Sequence, residues 1–288
     1  MQITELNGVG PKTAALLKKL KIETVEDLFL HYPRRYETHP APVPISQIVE
    51  NQKCAVQCVV KKEAVKGIFN DIAPSYDRLN HFLSMNIDKR WRRVAIKRIA
   101  EQEKGRLLDV ACGTGDFSIA ALRGGVQQVV GIDISEKMLE IGRRKIMGMG
   151  LQEKITLQYG DSERMEFPDQ DFDVITVAFG VRNFEHLEWG LKEMHRVLKK
   201  GGKVIILEFS MPEHFPMKQL YRFYFKHILP VLGGWVSGNK GAYTYLPESV
   251  SRFPQGKEFL EILSRCGFQQ PSQKKLTFGI ASLYTAYK

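Results

Sequence analysis

"LLDVACGTGDFS", residues 107–118, sets an apolar run, an acid, two glycines and a second acid within twelve positions. Leu107, Leu108 and Val110 read as a buried strand, and "DFSIAALRGG" from Asp116 reads as a helix ending on glycine. Between them Gly113 and Gly115 keep the main chain bare, so a ligand can approach the backbone and the first amides of the helix. Outward from this unit the pattern repeats. "VQQVVGIDIS" is a second strand and "EKMLEIGRRKIMGMG" a second helix; "KITLQYGD", "FDVITVAFG" and "GKVIILEFS" are three more strands, with "HLEWGLKEMHRVLKKGG" as the helix before the last. This alternation predicts an α/β fold, a doubly wound and mostly parallel sheet with its ligand at the carboxyl ends of the strands. "GFQQPSQKKL" and "FGIASLYTAYK" close the chain as two further strands that add an antiparallel edge to a seven-stranded sheet.

The turn suits two ligands. A dinucleotide turn reads GxGxxG, with a pyrophosphate above the helix start. Here the third glycine position is Ser118, and Asp116 stands where a phosphate would be repelled. S-adenosylmethionine, with a zwitterionic methionyl end and a sulfonium cation, tolerates Asp109 and Asp116 better. Asp133 closes the second strand, where a carboxylate can accept from both ribose hydroxyls, although both ligand classes use that contact. Asp161 and Ser162 close the third strand, in reach of an adenine amino group and ring. The cofactor set is therefore Asp109, Gly113, Thr114, Gly115, Asp133, Asp161 and Ser162. In this order the strand ends match the motifs of class I (Rossmann-like) methyltransferases.

The chain has 288 residues, 43% hydrophobic and 26% charged, with a formal net charge of +10. That balance admits a nucleic acid, an acidic membrane surface or an anionic substrate as partner. Cys54, Cys58, Cys112 and Cys266 show no metal-ligand spacing and no secreted framework, so free thiols in a reducing cytoplasm and no metal are expected. No signal peptide opens the sequence, and no stretch approaches the about 20 apolar residues of a membrane span.

The leading residues differ in kind. "LNGVGPKTAALLKKLKIETVEDLFLHYPRRYE" predicts two short helices joined through a glycine turn, Thr24 and Asp27 forming a capping box for the second. "GVGPK", "TVEDLF" and "PRRYE" resemble the opening of RecG-type DNA helicases, with "KCAVQCVV" as a following strand. The chain contains no GxxxxGK[ST] loop, which excludes helicase activity. Either this segment, 1–62, is a nucleic-acid-binding appendage or it is a truncated wedge fragment. Residues 1–66 hold ten Lys/Arg against seven Asp/Glu, +3 of the chain's +10, so the basic charge is not concentrated there and the fragment reading is favoured. Residues 63–288 form the methyltransferase domain.

Nucleic acid recedes further as the substrate. "AFGVRNF" after the fourth strand lacks the two prolines that orient an adenine nitrogen, and all four cysteines follow a residue other than proline. "FGVRN" at 179–183, "YDRLNHFLSMNIDKRW" at 76–91 and "AYTYLPESV" at 242–250 resemble the ubiquinone and menaquinone biosynthesis C-methyltransferase family, from about Val65 to Lys288. The resemblance implies methylation of a ring carbon of a prenylated quinol, demethylmenaquinol first and a benzoquinol as the alternative. It places Thr114, Asp133, Asp161 and Ser162 on cofactor positions, and Ala178 departs from the serine of many members. Ring methylation needs an aligned methyl group and a stabilised phenolate. Arg182, Asn183 and Tyr243 form the expected catalytic set; Tyr76 and Tyr245 are further candidates to line the ring pocket, and His227 to accept a proton. Aromatic, basic "FPMKQLYRFYFKHILPVLGGWV" at 215–236 suits a prenyl tail and peripheral contact with an anionic membrane. Another small-molecule methyltransferase, or a DNA-binding protein using the leading segment, are the competing readings.

Overall fold

The computed structural model describes residues 3–5, 11–20, 22–25, 27, 62–77, 84, 86–99, 105–224 and 240–288. The strand expected at 53–60, the second leading helix beyond Asp27, and His227 lie outside the described residues, as does the side chain of Tyr243. The chain forms two compact units, Met1–Lys61 and Lys62–Lys288, and each is taken by itself. In the first, α1 (Pro11–Lys19) contributes Leu17 to a small core with Ile3, Ile22 and Val25. Thr24 and Asp27 cap reciprocally, the Asp27 amide donating to Thr24 Oγ1 at 3.0 Å and the Thr24 amide to Asp27 Oδ2 at 2.8 Å.

The second unit is built on seven strands: β1 (Arg106–Val110), β2 (Gln128–Asp133), β3 (Ile155–Tyr159), β4 (Phe172–Ala178), β5 (Leu198–Phe209), β6 (Gln269–Leu276) and β7 (Ala281–Tyr287). Their order is β3-β2-β1-β4-β5-β7-β6. The first five are parallel, while β7 runs antiparallel to both β5 and β6 and so lies one place in from the edge. Side chains alternate between two buried layers. Leu108, Val110, Ile175, Val177, Val204 and Ile206 face one; Leu107, Val174, Ile205 and Leu207 face the other. On the first face lie α6 (Leu187–Val197) with Leu191 and Met194, and α9 (Lys257–Arg265) with Phe259 and Leu263. On the second lie α3 (Ile87–Ile96) with Trp91, α4 (Asp116–Arg123) with Phe117, and α5 (Glu136–Gly148) with Leu139 and Ile146. The outer strand β6 carries Lys274 and Lys275, and its pairing is irregular between Gln269 and Ser272, where Pro271 falls.

β1 is flanked by β2 on one side and β4 on the other, so the chain reverses direction across the sheet at this strand. Connections leave that point in opposite senses and open a crevice at the carboxyl ends. Helix α5 closes its floor. Ser135 caps it, Oγ accepting from the Met138 amide, and Gly142 lets it approach the turn after β1. A Cβ at Gly142 would lie 2.5 Å from Leu157 Cδ1 and 3.1 Å from the Thr114 carbonyl.

Gly142→Ala therefore sets two effects against each other. Helix propensity favours alanine by about 1 kcal/mol, and overpacking against a backbone carbonyl costs about 1–3 kcal/mol. A net loss is expected, read as a lower urea midpoint at unchanged slope; a higher midpoint would show that Leu157 turns aside freely.

Candidate functional site

The turn after β1 is held open by its own backbone. Ala111, Gly113 and Gly115 all have positive φ, at 53°, 56° and 78°. Glycine accepts this conformation freely, and Ala111 does so at a cost of about 1–2 kcal/mol. A second positive φ on a non-glycine, 60° at Phe179, sits at the tip of β4. Between the two tips Gly180 lacks a Cβ that would fall 2.5 Å from that of Ala111. Strain gathered at two neighbouring strand ends is the pattern of a site rather than of a core.

Asp133 organises the crevice. Its Oδ2 accepts from the Gly113 amide and its Oδ1 from the Ser135 amide, each at 2.8 Å. Burial pushes this carboxyl up, and those amides pull it back toward the ionised form. Around it is a crevice of about 680 Å³, part of it open to solvent, bordered by Gly113, Ile134, Met138, Gly160 and Ser162 and also by Phe69, Tyr76, Ala178, Phe179, Asn183 and Phe184. A Cβ at Gly160 would stand 2.9 Å from Ile132, so the floor there is bare by necessity. A carboxylate with remaining lone pairs, a bare floor and two apolar side chains beside them fit the ribose and base of an adenosyl group.

Of the residues expected from the sequence, Gly113, Asp133, Ser162, Asn183 and Tyr76 border this cavity. Gly115 caps α4, where a Cβ would press Leu157 at 3.1 Å. Asp161 closes its own turn, Oδ1 accepting from the Glu163 amide at 2.9 Å. Thr114 is buried, its hydroxyl donating to Asp77 Oδ1 at 2.6 Å and accepting from Lys145 Nζ at 3.1 Å. Lys145 also reaches Asp77 Oδ2 at 2.8 Å and Asp116 Oδ1 at 2.6 Å. The acid expected to face the ligand from the helix start is thus paired with Lys145, and Arg92 approaches it at 3.6 Å. The same network ties the segment after α2 (Lys62–Ile72) to the glycine turn, with Tyr76 above Gly113, and Ser135 Oγ donates to Asn70 Oδ1 at 2.7 Å.

Arg182, read from the sequence as a cation facing a quinolate, is in a buried pair instead. Its Nη1 lies 2.8 Å from Glu208 Oε1, the two side chains being 6% and 0% exposed. Its Nε donates to Ser249 Oγ at 3.2 Å, Nη1 also donates to the Phe179 carbonyl, and its backbone amide donates to Glu208 Oε2 at 3.3 Å. Burial raises the Glu208 pKa while Arg182 lowers it. Removing the guanidinium would strand that carboxylate, at about 3–5 kcal/mol. Asn183, next in the helical turn Val181–Asn183, accepts from Tyr245 Oη at 2.9 Å. Glu208, Asp77 and Lys145 were not among the expected residues, and Tyr245, expected to line the ring pocket, bonds Asn183. An acid inside the apolar run "VIILEF" signals a buried counter-charge, and Glu208 was legible on that ground; the others meet only through tertiary contacts. Among the described residues no cluster of His, Cys, Asp and Glu could hold a metal.

The ubiE/COQ5 methyltransferase family profile matches residues 57–288, and the RecG wedge domain profile matches 2–104, overlapping it. A demethylmenaquinone methyltransferase of Bacteroides fragilis is 48% identical over 229 residues, 79% of this chain and 94% of the relative. The ubiquinone/menaquinone biosynthesis C-methyltransferase UbiE of Geobacter sulfurreducens is 46% identical over 230 residues, 79% and 90% of the two. Among solved structures, a SAM-dependent methyltransferase of Thermotoga maritima superposes with TM-score 0.56 at 19% identity, covering 77% of this chain and 99% of that one. SpnF, a cyclase, gives 0.61 at 16%, covering 79% and 96%. These two establish the fold alone.

Asp109 lies beneath the cavity rather than beside it. It is 1% exposed, accepting from Ser118 Oγ at 2.6 Å and Thr176 Oγ1 at 3.1 Å. Burial pushes its pKa from 3.8 to about 6, against those hydrogen bonds. A carboxyl raised on folding binds its proton more tightly in the folded state, so its contribution is greatest below about 3.8 and is lost as pH rises through about 6. Asp109→Asn removes the ionisation. At about pH 8 the variant is expected to be more stable by about 1–3 kcal/mol in urea unfolding, the gap closing by about pH 4; lower stability at both would show the carboxylate to be a net asset.

Proposed function

The chain belongs to the ubiE/COQ5 methyltransferase family, and from that premise we propose that it methylates a ring carbon of a prenylated quinol of the demethylmenaquinol type, using S-adenosylmethionine. The observation that carries this reading is the single cavity bordered both by Asp133 with the Gly113 amide and by Asn183 with aromatic side chains. Bound beside Asp133 and the Gly113 amide, the cofactor would supply an electrophilic methyl group on a sulfonium. Asp133 is placed to accept from the ribose hydroxyls, and Ile134 and Met138 to flank the base, with Ser162 at its edge. Ala178 offers no hydroxyl at a position where the family resemblance implies serine in many members. Beside Asn183, Phe179 and Phe184 hold a flat ring and, with Phe69 and Tyr76, exclude water, and alignment alone supplies up to about 7–11 kcal/mol. A quinol becomes nucleophilic at carbon when its hydroxyl loses a proton, and Asn183 can donate to the oxygen left behind. Arg182, neutralised by Glu208, holds the 181–183 turn in shape.

Peripheral contact with an anionic bilayer fits the substrate. Phe215 and Phe278 are 81% and 79% exposed, and Leu220 and Phe223 are exposed on α7 (Met217–Phe223), beside Lys218. Among the described residues no helix is long and apolar enough to cross a membrane. The leading segment is read as a wedge-like fragment outside the chemistry, with no nucleic acid partner.

Purified chain is expected to transfer labelled methyl groups to demethylmenaquinol in preference to a demethylated benzoquinol; transfer to neither ends the reading. Removing residues 1–62 should leave that activity intact. With acidic liposomes the protein is expected to float in low salt and to be released by high salt, and recovery wholly in the soluble fraction removes the membrane proposal.

A further inference from the structure

We infer that Tyr245 is a positioning residue for methyl transfer: its hydroxyl fixes the Asn183 carboxamide so that the amide nitrogen, and not the oxygen, is presented to the cavity. The inference rests on the quinol reading above and adds to it the polarity of the group that meets the substrate.

A carboxamide is nearly symmetric in shape and opposite in hydrogen-bonding sense at its two ends. Only the nitrogen end can donate to an oxygen that is losing its proton; the oxygen end would repel it. Tyr245 Oη lies 2.9 Å from Asn183 Oδ1. Burial raises the phenol pKa, so the hydroxyl keeps its proton and donates. With Oδ1 engaged, the Nδ2 hydrogens are left for the cavity that Asn183 borders.

The arrangement is braced. Tyr245 and Ser249 stand one turn apart on α8 (Lys240–Arg252) and bond two successive residues, Asn183 and Arg182. Arg182 is in turn locked by Glu208, both side chains being almost wholly buried. The Arg182–Ser249 bond fixes the register of helix and turn, and the Tyr245–Asn183 bond then decides which way the amide faces. No exposed side chain takes part in either.

The test compares the full chain with Tyr245→Phe, Asn183→Ala and the double variant, measuring kcat and KM for S-adenosylmethionine and demethylmenaquinol from acid to alkaline pH. Tyr245→Phe keeps the ring and loses only the hydroxyl. It is expected to lower kcat about tenfold, to leave KM for S-adenosylmethionine unchanged, and to move the rising limb of the kcat profile about one pH unit upward. Asn183→Ala is expected to move the limb equally, and the double variant no further. Asp133, Glu163, Glu185 and Tyr76 border the cavity, Arg182 with Glu208 lies behind Asn183, and the charge of Arg252 acts on Tyr245; all are retained in every variant, so the shift reports the amide. A uniform loss of kcat with an unmoved limb, or additive losses in the double variant, overturns the inference. If the parent chain does not methylate demethylmenaquinol, the quinol reading fails and orientation is judged separately by the nitrogen-15 side-chain resonance of Asn183. Added α-naphtholate should shift it in the parent chain and not in Tyr245→Phe; an equal response in both overturns the assignment.

Discussion

The hydrogen bond from the Gly113 amide to the Asp133 carboxylate joins the tips of β1 and β2 where the sheet changes direction, and the site is assembled around it. A carboxylate at that point needs donors close by, and only bare backbone at a left-handed residue can come near enough on the β1 side. The second oxygen of Asp133 takes the Ser135 amide, and Ser135 caps α5, so one side chain fixes a turn, a strand end and a helix start together. Helix α5 then delivers Lys145 to Thr114, Asp77 and Asp116, which draws the segment bearing Tyr76 across the opening. Geometry passes from the turn to the roof through polar contacts, each dependent on the one before.

Beneath this layer the sheet carries charge where apolar packing would be ordinary. Asp109 and Glu208 are buried on neighbouring parts of the sheet and resolved differently. Asp109 meets only hydroxyls, so burial dominates and its carboxyl is held near the proton. Burial raises the Glu208 pKa as well, but there a guanidinium and two backbone amides oppose it. The difference follows from the flanking strands. Each acid is the penultimate residue of its strand, but Asp109 has Gly131 and Thr176 beside it, whereas Glu208 lies one residue beyond the last β4–β5 pair, Ala178 with Leu207, where the loop after β4 can fold a cation back against it.

Strands and helices of the second unit were legible because both faces of the sheet are covered, which leaves long apolar runs broken by glycine. The strand-end residues Gly113, Asp133, Ser162 and Asn183 could be read as site candidates because a doubly wound sheet has one place for a ligand. Arg182 shows where that reasoning stops. A cation after a strand looks available in one dimension, and only the fold brings Glu208 and Ser249 to it from residues far along the chain. Thr114 is similar, its hydroxyl turned to a lysine and an aspartate from two other elements. Tyr245 was visible among several tyrosines, but its partner is set by how α8 lies against the 181–183 turn.

The outermost strand, β6, bears on how the molecule behaves in a crowd of its own kind. An edge of free amides and carbonyls is a template on which another chain's backbone can add, the first step toward stacked assemblies. Here that rim presents two ammonium groups, Lys274 and Lys275, and an irregular pairing at Pro271, a residue with no amide hydrogen to offer. Growth of the sheet by a stranger's strand is resisted on that side.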